Sequence, residues 1–319
     1  MTILAPTRTE RPRPAYRPYR ARVAAISRLS PHFTRVRFEC GDFEHFGTEC
    51  LDQRIKLLFP LADGSFADLG VDDEEAQFAG DWYERWRGLP EHRRNPFRTY
   101  TVRAIDTDAC CLDIDFVVHG DGGPAARWLL GARPNDELVV IGPDARSPHR
   151  GVGIDWRPGS ARELLLAGDE TAAPAIASIL ETLPAGRRAQ AFIEVPSAQD
   201  ALSLRLPPHV EATWLPRGSA VTGAALVPAV QCWLAEHPRV VAAAAAGRAQ
   251  SLDDVDVDRD ILWESPLDEA DATHAGFYAW IAGESAAVKT LRRMLVRDHG
   301  IDRSRVAFMG YWRLGRSEN

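Results

Sequence analysis

The chain is 319 residues long, 45% apolar and 26% charged, with a net charge of −7 from 38 Lys and Arg against 45 Asp and Glu. That length accommodates two domains with separate cores, and the acidic balance argues against a general nucleic-acid binder, which carries a basic excess. No apolar run approaches the roughly 20 residues that cross a bilayer, and the N-terminus lacks the apolar core of a secretory signal, so no membrane insertion and a cytoplasmic location are expected.

Residues 1–18, rich in proline and arginine without an apolar period, are expected to be a flexible tail. Short β-like runs follow at Val23–Ser27, Phe33–Phe38, Arg54–Phe59, Thr99–Ala104, Cys111–Val118 and Glu137–Ile141. Their close spacing suits a small antiparallel barrel over residues 19–150. The acidic, Trp- and Arg-containing stretch 62–95 is too long for a turn and is expected to run over the barrel. Composition shifts to Pro, Gly, Arg and Ser near Asp144–Ser160, which reads as a linker. Strands and helices then alternate over 160–319. Strand Glu163–Ala167, helix Ala172–Leu183 and strand Ala189–Val195 come first, with a further strand before Arg217. Helix Ala224–Glu236, an apolar strand Val240–Ala246, strand Phe277–Ala282 and helix Ser285–His299, stopped by Gly300, complete the series. Such alternation predicts a doubly wound parallel sheet. The acidic stretch 252–274 reads as a surface loop.

Five cysteines, Cys40, Cys50, Cys110, Cys111 and Cys232, show no C-x-x-C spacing. Cys110 and Cys111 point to opposite faces of a strand, so no metal site is expected and the thiols read as reduced and structural.

The most informative segment is Arg98-Thr-Tyr-Thr-Val-Arg103. On a strand, Arg98, Tyr100 and Val102 share one face and Thr99, Thr101 and Arg103 the other. Downstream, Val118-His-Gly-Asp-Gly-Gly-Pro-Ala-Ala-Arg-Trp128 has the form of a glycine-rich turn opening a helix at Pro124. Glycines admit a ligand to the backbone, and first-turn N–H groups favour phosphate oxygens. Together the two segments suggest a cradle for a flavin dinucleotide.

Arg98–Arg103 resembles the flavin strand of the ferredoxin–NADP reductase superfamily. Asn95-Pro96, Asp115-Phe-Val-Val-His-Gly120, Leu166-Ala-Gly-Asp-Glu-Thr-Ala-Ala-Pro-Ala175, Trp280-Ile-Ala-Gly-Glu284 and Gly310-Tyr-Trp-Arg-Leu-Gly315 resemble its siderophore-interacting branch, the ferric-siderophore reductases. The resemblance implies an FAD-binding antiparallel β-barrel followed by an NAD(P)H-binding α/β domain. It implies that Tyr100 packs on the isoalloxazine, Thr101 lies near N5, and Arg98 and Arg103 hold the phosphate and ribose side. Thr99, Asp115, Val118, Gly122, Gly123, Pro124, Ala125 and Ala126 complete that set. His119 bonds the flavin or caps its strand; Phe116 is a cofactor neighbour or core; Trp128 is a contact or an anchor of the helix.

No G-x-G-x-x-G follows any strand. The nicotinamide set is instead Asp169, Thr171 and Ala172 at a strand-to-helix turn that Gly168 permits, with Gly283 and Glu284 at a later one. Thr171 caps the helix or touches the coenzyme. Tyr311 and Trp312 cover a cofactor ring or pin the tail. Glu194 and Arg217 offer both signs for reading a 2′-phosphate, so the donor is NADPH or NADH, with family habit favouring NADPH.

The implied acceptor is a ferric siderophore, anionic and oxygen-ligated. Lys56 matches a lysine that the family places near the flavin edge, and Arg248, after the strand expected over Val240–Ala246, joins the same cationic patch. No protein acid or base is required, because the flavin carries the chemistry. The chain is read as a monomer. A flavin oxidoreductase with another acceptor and a non-enzymatic siderophore carrier are the alternatives.

Overall fold

The computed structural model describes residues 12–118, 123–248, 250–252, 255–257, 260–266 and 276–315. They fall into two compact units. One holds the described residues up to Ser27 together with Arg35–Gly153; the other holds Arg28–Thr34 and the described residues from Ile154 onward.

The first unit contains β1 (Tyr16–Arg28), β2 (Phe33–Glu39), β3 (Arg54–Leu58), α1 (Glu74–Ala79), α2 (Trp82–Gly88), β4 (Phe97–Thr101), β5 (Ala104–Asp106), β6 (Cys111–Val117), α3 (Pro124–Gly131) and β7 (Glu137–Pro143). Its strands form a curled antiparallel sheet in the order β4-β3-β7-β1-β2-β6-β5. Alternate residues fill the interior: Val36 and Phe38 of β2, Ile55 and Leu57 of β3, Leu112, Ile114 and Phe116 of β6. β1 starts at Tyr16, inside the segment expected to be tail. The reason is Arg17, a buried rather than solvated side chain, ion-paired to Asp42 at 2.9 Å and lying 4.1 Å over the Tyr19 ring.

Stretch 62–95 does run over the sheet, and it is ordered by caps. Asp73 accepts the N–H groups of Glu75 and Ala76 at the start of α1, and Gly80 ends it at φ 72°. In α2, Trp86 meets Phe97 at 4.7 Å and donates to the Asn95 carbonyl at 2.8 Å. Trp82, Trp86 and Phe97 thereby pack against Leu58, Val139 and Ile141 on the sheet's outer face.

The second unit contains β8 (Glu163–Gly168), α4 (Ala173–Glu181), β9 (Arg188–Val195), β10 (Val210–Pro216), α5 (Leu226–Glu236), α6 (Pro238–Ala244), β11 (Trp263–Glu264), β12 (Phe277–Glu284), α7 (Ser285–Arg292) and β13 (Val306–Trp312). The sheet order is β10-β9-β8-β12-β13-β11, parallel except for the two-residue edge strand β11. β12 is buried along its whole length, as a central parallel strand covered on both faces must be. β11 and β13 lie outside the predicted runs, and β11 falls in the stretch read as a surface loop. After α7 the chain makes a π-helical segment, Arg293–Asp298, and Gly300 at φ 69° stops it.

One predicted strand is a helix. Val240–Ala246 is apolar and β-branched at its start, but five alanines follow and Pro238 stands ready at a first helical position, so α6 forms instead. Arg248 is displaced with it. Ala246 N–H donates to the Gly300 carbonyl and Ala245 bridges Ile301, just before β13 begins. Arg248 therefore stands toward the amino end of the parallel strands, on the order of 20 Å of strand from the carboxyl ends where it was expected.

Candidate functional site

In the first unit β4 is an edge strand, paired only with β3, which puts Lys56 opposite Thr99. The Lys56 ammonium donates to the Thr99 hydroxyl at 2.6 Å and lies 5.3 Å from the centre of the Phe97 ring. Alternation places Phe97, Thr99 and Thr101 on that outer face and Arg98, Tyr100 and Val102 on the inner one. Tyr100 is half-buried and packs on Phe116 at 4.5 Å, and Phe116 is itself core. Trp128 lies within 6.2 Å of Phe38, Phe59 and Phe116, so it anchors α3 in the core.

Arg103 is positioned by Asp115, whose buried carboxylate is 3.6 Å from the Arg103 guanidinium. The same carboxylate takes a bidentate pair from Arg35 at 2.7 and 2.9 Å, and one pair down the strands Arg37 grips Asp113 at 2.7 and 2.8 Å. Planar forks on carboxylates hold β2 to β6 beneath the predicted phosphate side. Arg35 was not predicted; its signal is the alternation Arg35-Val-Arg37 facing Asp113-Ile-Asp115. α3 opens at Gly123 and Pro124 and, among the described residues, no side chain caps its first turn and none would meet a Cβ on Gly123 within 4 Å. Ala125 is buried against the core and Ala126 half-buried. Val118 is half-buried past the end of β6; His119 and Gly122 lie outside the described residues.

In the second unit the strand order reverses between β8 and β12, and the carboxyl ends of such a switch point are where open α/β sheets bind ligands. Asp169 sits there. Its buried carboxylate accepts the Thr171 N–H at 2.9 Å and hydroxyl at 2.5 Å, the Glu284 N–H at 2.7 Å and the Trp312 indole N–H at 2.8 Å. One side chain thus ties together the ends of β8, β12 and β13. Thr171 turns to Asp169 rather than capping α4, and Ala172 is fully buried. Gly283 is at φ 138°, and a Cβ there would lie 2.6 Å from the Asp169 carboxylate, so only glycine allows the approach. Gly168 has another reason than the expected turn: a Cβ would meet Ala172 at 2.5 Å and the Ala282 carbonyl at 2.7 Å. Glu284 caps α7 through the N–H groups of Ala286 and Ala287. Tyr311 stacks on Trp263 at 5.8 Å and meets Trp280 edge-on.

Glu194 and Arg217 are both engaged. Glu194 accepts the N–H groups of Gly223, Ala225 and Leu226 at the start of α5, and Arg217 forks onto buried Glu170 at 2.5 and 2.6 Å. Asp200 is a further buried carboxylate: it accepts from the Ser30 hydroxyl, the His32 N–H and the His32 ring, all within 3.0 Å.

Residues 22–147 match the siderophore-interacting FAD-binding domain, and residues 161–315 match the siderophore-interacting protein family. The chain belongs to the siderophore-interacting protein family. An uncharacterized protein of Mycobacterium tuberculosis is 33% identical over 93% of this chain and 90% of its own length. The NADPH-dependent ferric-chelate reductase of Escherichia coli is 28% identical over 91% of each. The crystal structure of the siderophore-interacting protein SipS from Aeromonas hydrophila aligns with a TM-score of 0.64 at 27% identity, covering 95% of this chain and 94% of that one.

The residues of this siderophore-interacting protein fit FAD. The helix start at Gly123 and Pro124, uncapped among the described residues, would suit a diphosphate, Arg98 and Arg103 would supply cations, and Tyr100, packed on Phe116, would offer a ring. Among the described residues no group of His, Cys, Asp and Glu could hold a metal ion, and no helix is long and apolar enough to cross a membrane.

Asp169 also gives the family member a pH signature. Burial, and then the Glu170 charge, push its carboxyl up to about 6 against the pull of its hydrogen bonds. The folded chain then holds this proton more tightly than the unfolded chain, whose aspartate titrates near 4. Its contribution is fully present below about pH 4 and is lost as pH rises through about 6, a change of roughly 3 kcal/mol. Urea unfolding of the wild type and of Asp169→Asn across pH 4–8 should show stability difference curves that diverge over that window. Parallel curves would show that Asp169 titrates normally.

Proposed function

We infer that this chain is an FAD-dependent NAD(P)H:ferric-siderophore oxidoreductase that reduces Fe(III) to Fe(II) and so releases iron inside the cell. The observation that carries this reading is a cation beside the flavin strand: the Lys56 ammonium of β3, bonded to Thr99 on the face of β4 opposite Arg98 and Tyr100. That arrangement separates flavin binding from recognition of an anionic, oxygen-ligated ferric complex. Bound FAD would supply the redox chemistry, two-electron uptake from NADPH or NADH and one-electron donation outward, and Fe(II), being softer, is held less tightly by oxygen ligands.

The protein's part is to bind and orient. Arg98, Arg103 and the first-turn N–H groups of α3 hold the diphosphate and ribose, Tyr100 sets the ring, and Asp115 keeps Arg103 in place. In the second unit Asp169 fixes the strand ends and Trp312 for the nicotinamide. No side chain is needed to move a proton to or from the ferric complex.

Anaerobic visible spectra test the reading. Oxidised-flavin bands should bleach with NADPH or NADH and return when a ferric siderophore is added. Bleaching without return would assign another acceptor, and a colourless protein that takes up no FAD would leave a carrier. Lys56→Ala should raise KM for the ferric siderophore about 10-fold, the size of one lost charge-assisted contact, and leave flavin content unchanged. Equal kinetics in the two proteins would remove Lys56 from the substrate site.

A further inference from the structure

Two of the five cysteines lie side by side next to the neighbouring strands β2 and β6. Arg35 pairs with Asp115 and Arg37 with Asp113, which sets the register of β2 against β6. Continued outward, that register puts Glu39 opposite Cys111 and Cys40 opposite Cys110. The backbone agrees: the Cys40 N–H donates to the Cys110 carbonyl at 3.2 Å. Parity agrees as well. Val36 and Phe38 of β2 face the core, and Cys40 follows them in parity; Cys110 ends the turn before β6 with a left-handed backbone (φ 53°) and packs against the same core cluster. Both are partly buried against that core, whereas Cys111 lies on the other face.

The pair stands where β2 ends and the turn before β6 closes. Both cysteines line an open pocket of about 420 Å³ together with Glu39, Gly41, Ala109, Arg20 and Arg22. The Cys110 thiol lies 3.4 Å from the carbonyl of Gly41, the residue after Cys40, and 3.5 Å from that of Thr107. That direct backbone hydrogen bond brings the two residues close enough for a disulfide, which spans Cα separations of about 4.4–6.8 Å.

We propose that Cys40 and Cys110 form a reversible intramolecular disulfide when the protein meets a hydroperoxide. The sum is two thiols plus ROOH giving one S–S bond, ROH and water. Cys110, the thiol in exposed contacts, attacks the peroxide oxygen, is oxidised to the sulfenic acid and releases ROH. The Cys40 sulfur then displaces hydroxide from that sulfenic acid, the S–S bond forms and water leaves. Burial pushes the Cys40 thiol up, which suits a resolving partner more than a first nucleophile. A small excess of dithiol reverses the bond.

The test uses the purified protein with its FAD bound. After a slight excess of hydrogen peroxide, two of the five thiols should disappear, and peptide mapping should find the segments holding Cys40 and Cys110 linked until dithiothreitol is added. The melting temperature should rise by on the order of 5 °C, because the bond closes a long loop. Cys111→Ser should keep the link and Cys110→Ser should lose it. No thiol loss, links through Cys50, Cys111 or Cys232, or oxidation to sulfinic acid without a link would each overturn the proposal. The wild-type map decides even if a variant does not fold.

Discussion

Arg217→Met should destabilise the second unit by about 3–5 kcal/mol, among the largest effects expected of any single substitution in the chain. Glu170 is completely buried at the end of β8, and its carboxylate is held by the Arg217 fork at 2.5 and 2.6 Å. Removing the guanidinium leaves a charge in the interior that water cannot reach. Arg217 also lies 3.8 Å from Glu194, whose carboxylate caps α5, so two buried carboxylates lose the same cation. The double variant Arg217→Met, Glu170→Met should recover most of the loss, since an apolar pair of similar volume incurs no desolvation cost. Urea unfolding of the four proteins of the cycle measures this directly. A loss below about 1 kcal/mol for Arg217→Met would mean that the pair is screened by water and contributes as a surface bridge does.

That pair also marks the limit of what was legible beforehand. Glu194 and Arg217 were readable as charges at strand ends, where coenzyme phosphates and riboses are read, and they therefore looked like coenzyme determinants. The fold uses them differently because it brings β8, β9 and β10 side by side, and that long-range neighbourhood is invisible in either local stretch. The Arg98–Arg103 strand and the helix at Pro124 were recognisable because their physics is local: strand alternation, a glycine before a proline, an apolar helix face. Interior rows were legible for the same reason. Val240–Ala246 failed because a short apolar run has no period that separates strand from buried helix, and the alanines decided it. Arg17 failed through composition, a buried cation hidden among prolines. Asp169 was placed correctly at a strand-to-helix turn, yet its partners Glu284 and Trp312, 115 and 143 residues away, required the sheet order.

Arg98→Ala should lower FAD affinity by about 10- to 100-fold, the equivalent of one or two charge-assisted hydrogen bonds to phosphate. Arg98 sits on the inner face of β4 beside Tyr100, the face against which α3 packs, and its backbone neighbours are fixed by the β3 pairing. The side chain is already oriented by a 2.7 Å bond to the Phe97 carbonyl, so on the proposed reading a phosphate would meet a guanidinium that is partly immobilised. Arg98→Lys keeps the charge and loses the planar fork, and should recover only part of the affinity. Flavin released on dilution, followed by the gain of free-FAD fluorescence, measures each variant. Lys56→Ala is the internal control, since it removes a cation from the same strand pair but from the opposite face. If Lys56→Ala and Arg98→Ala released flavin equally, the two faces would not divide the labour, and net positive charge around β4 rather than a placed guanidinium would be what retains the cofactor.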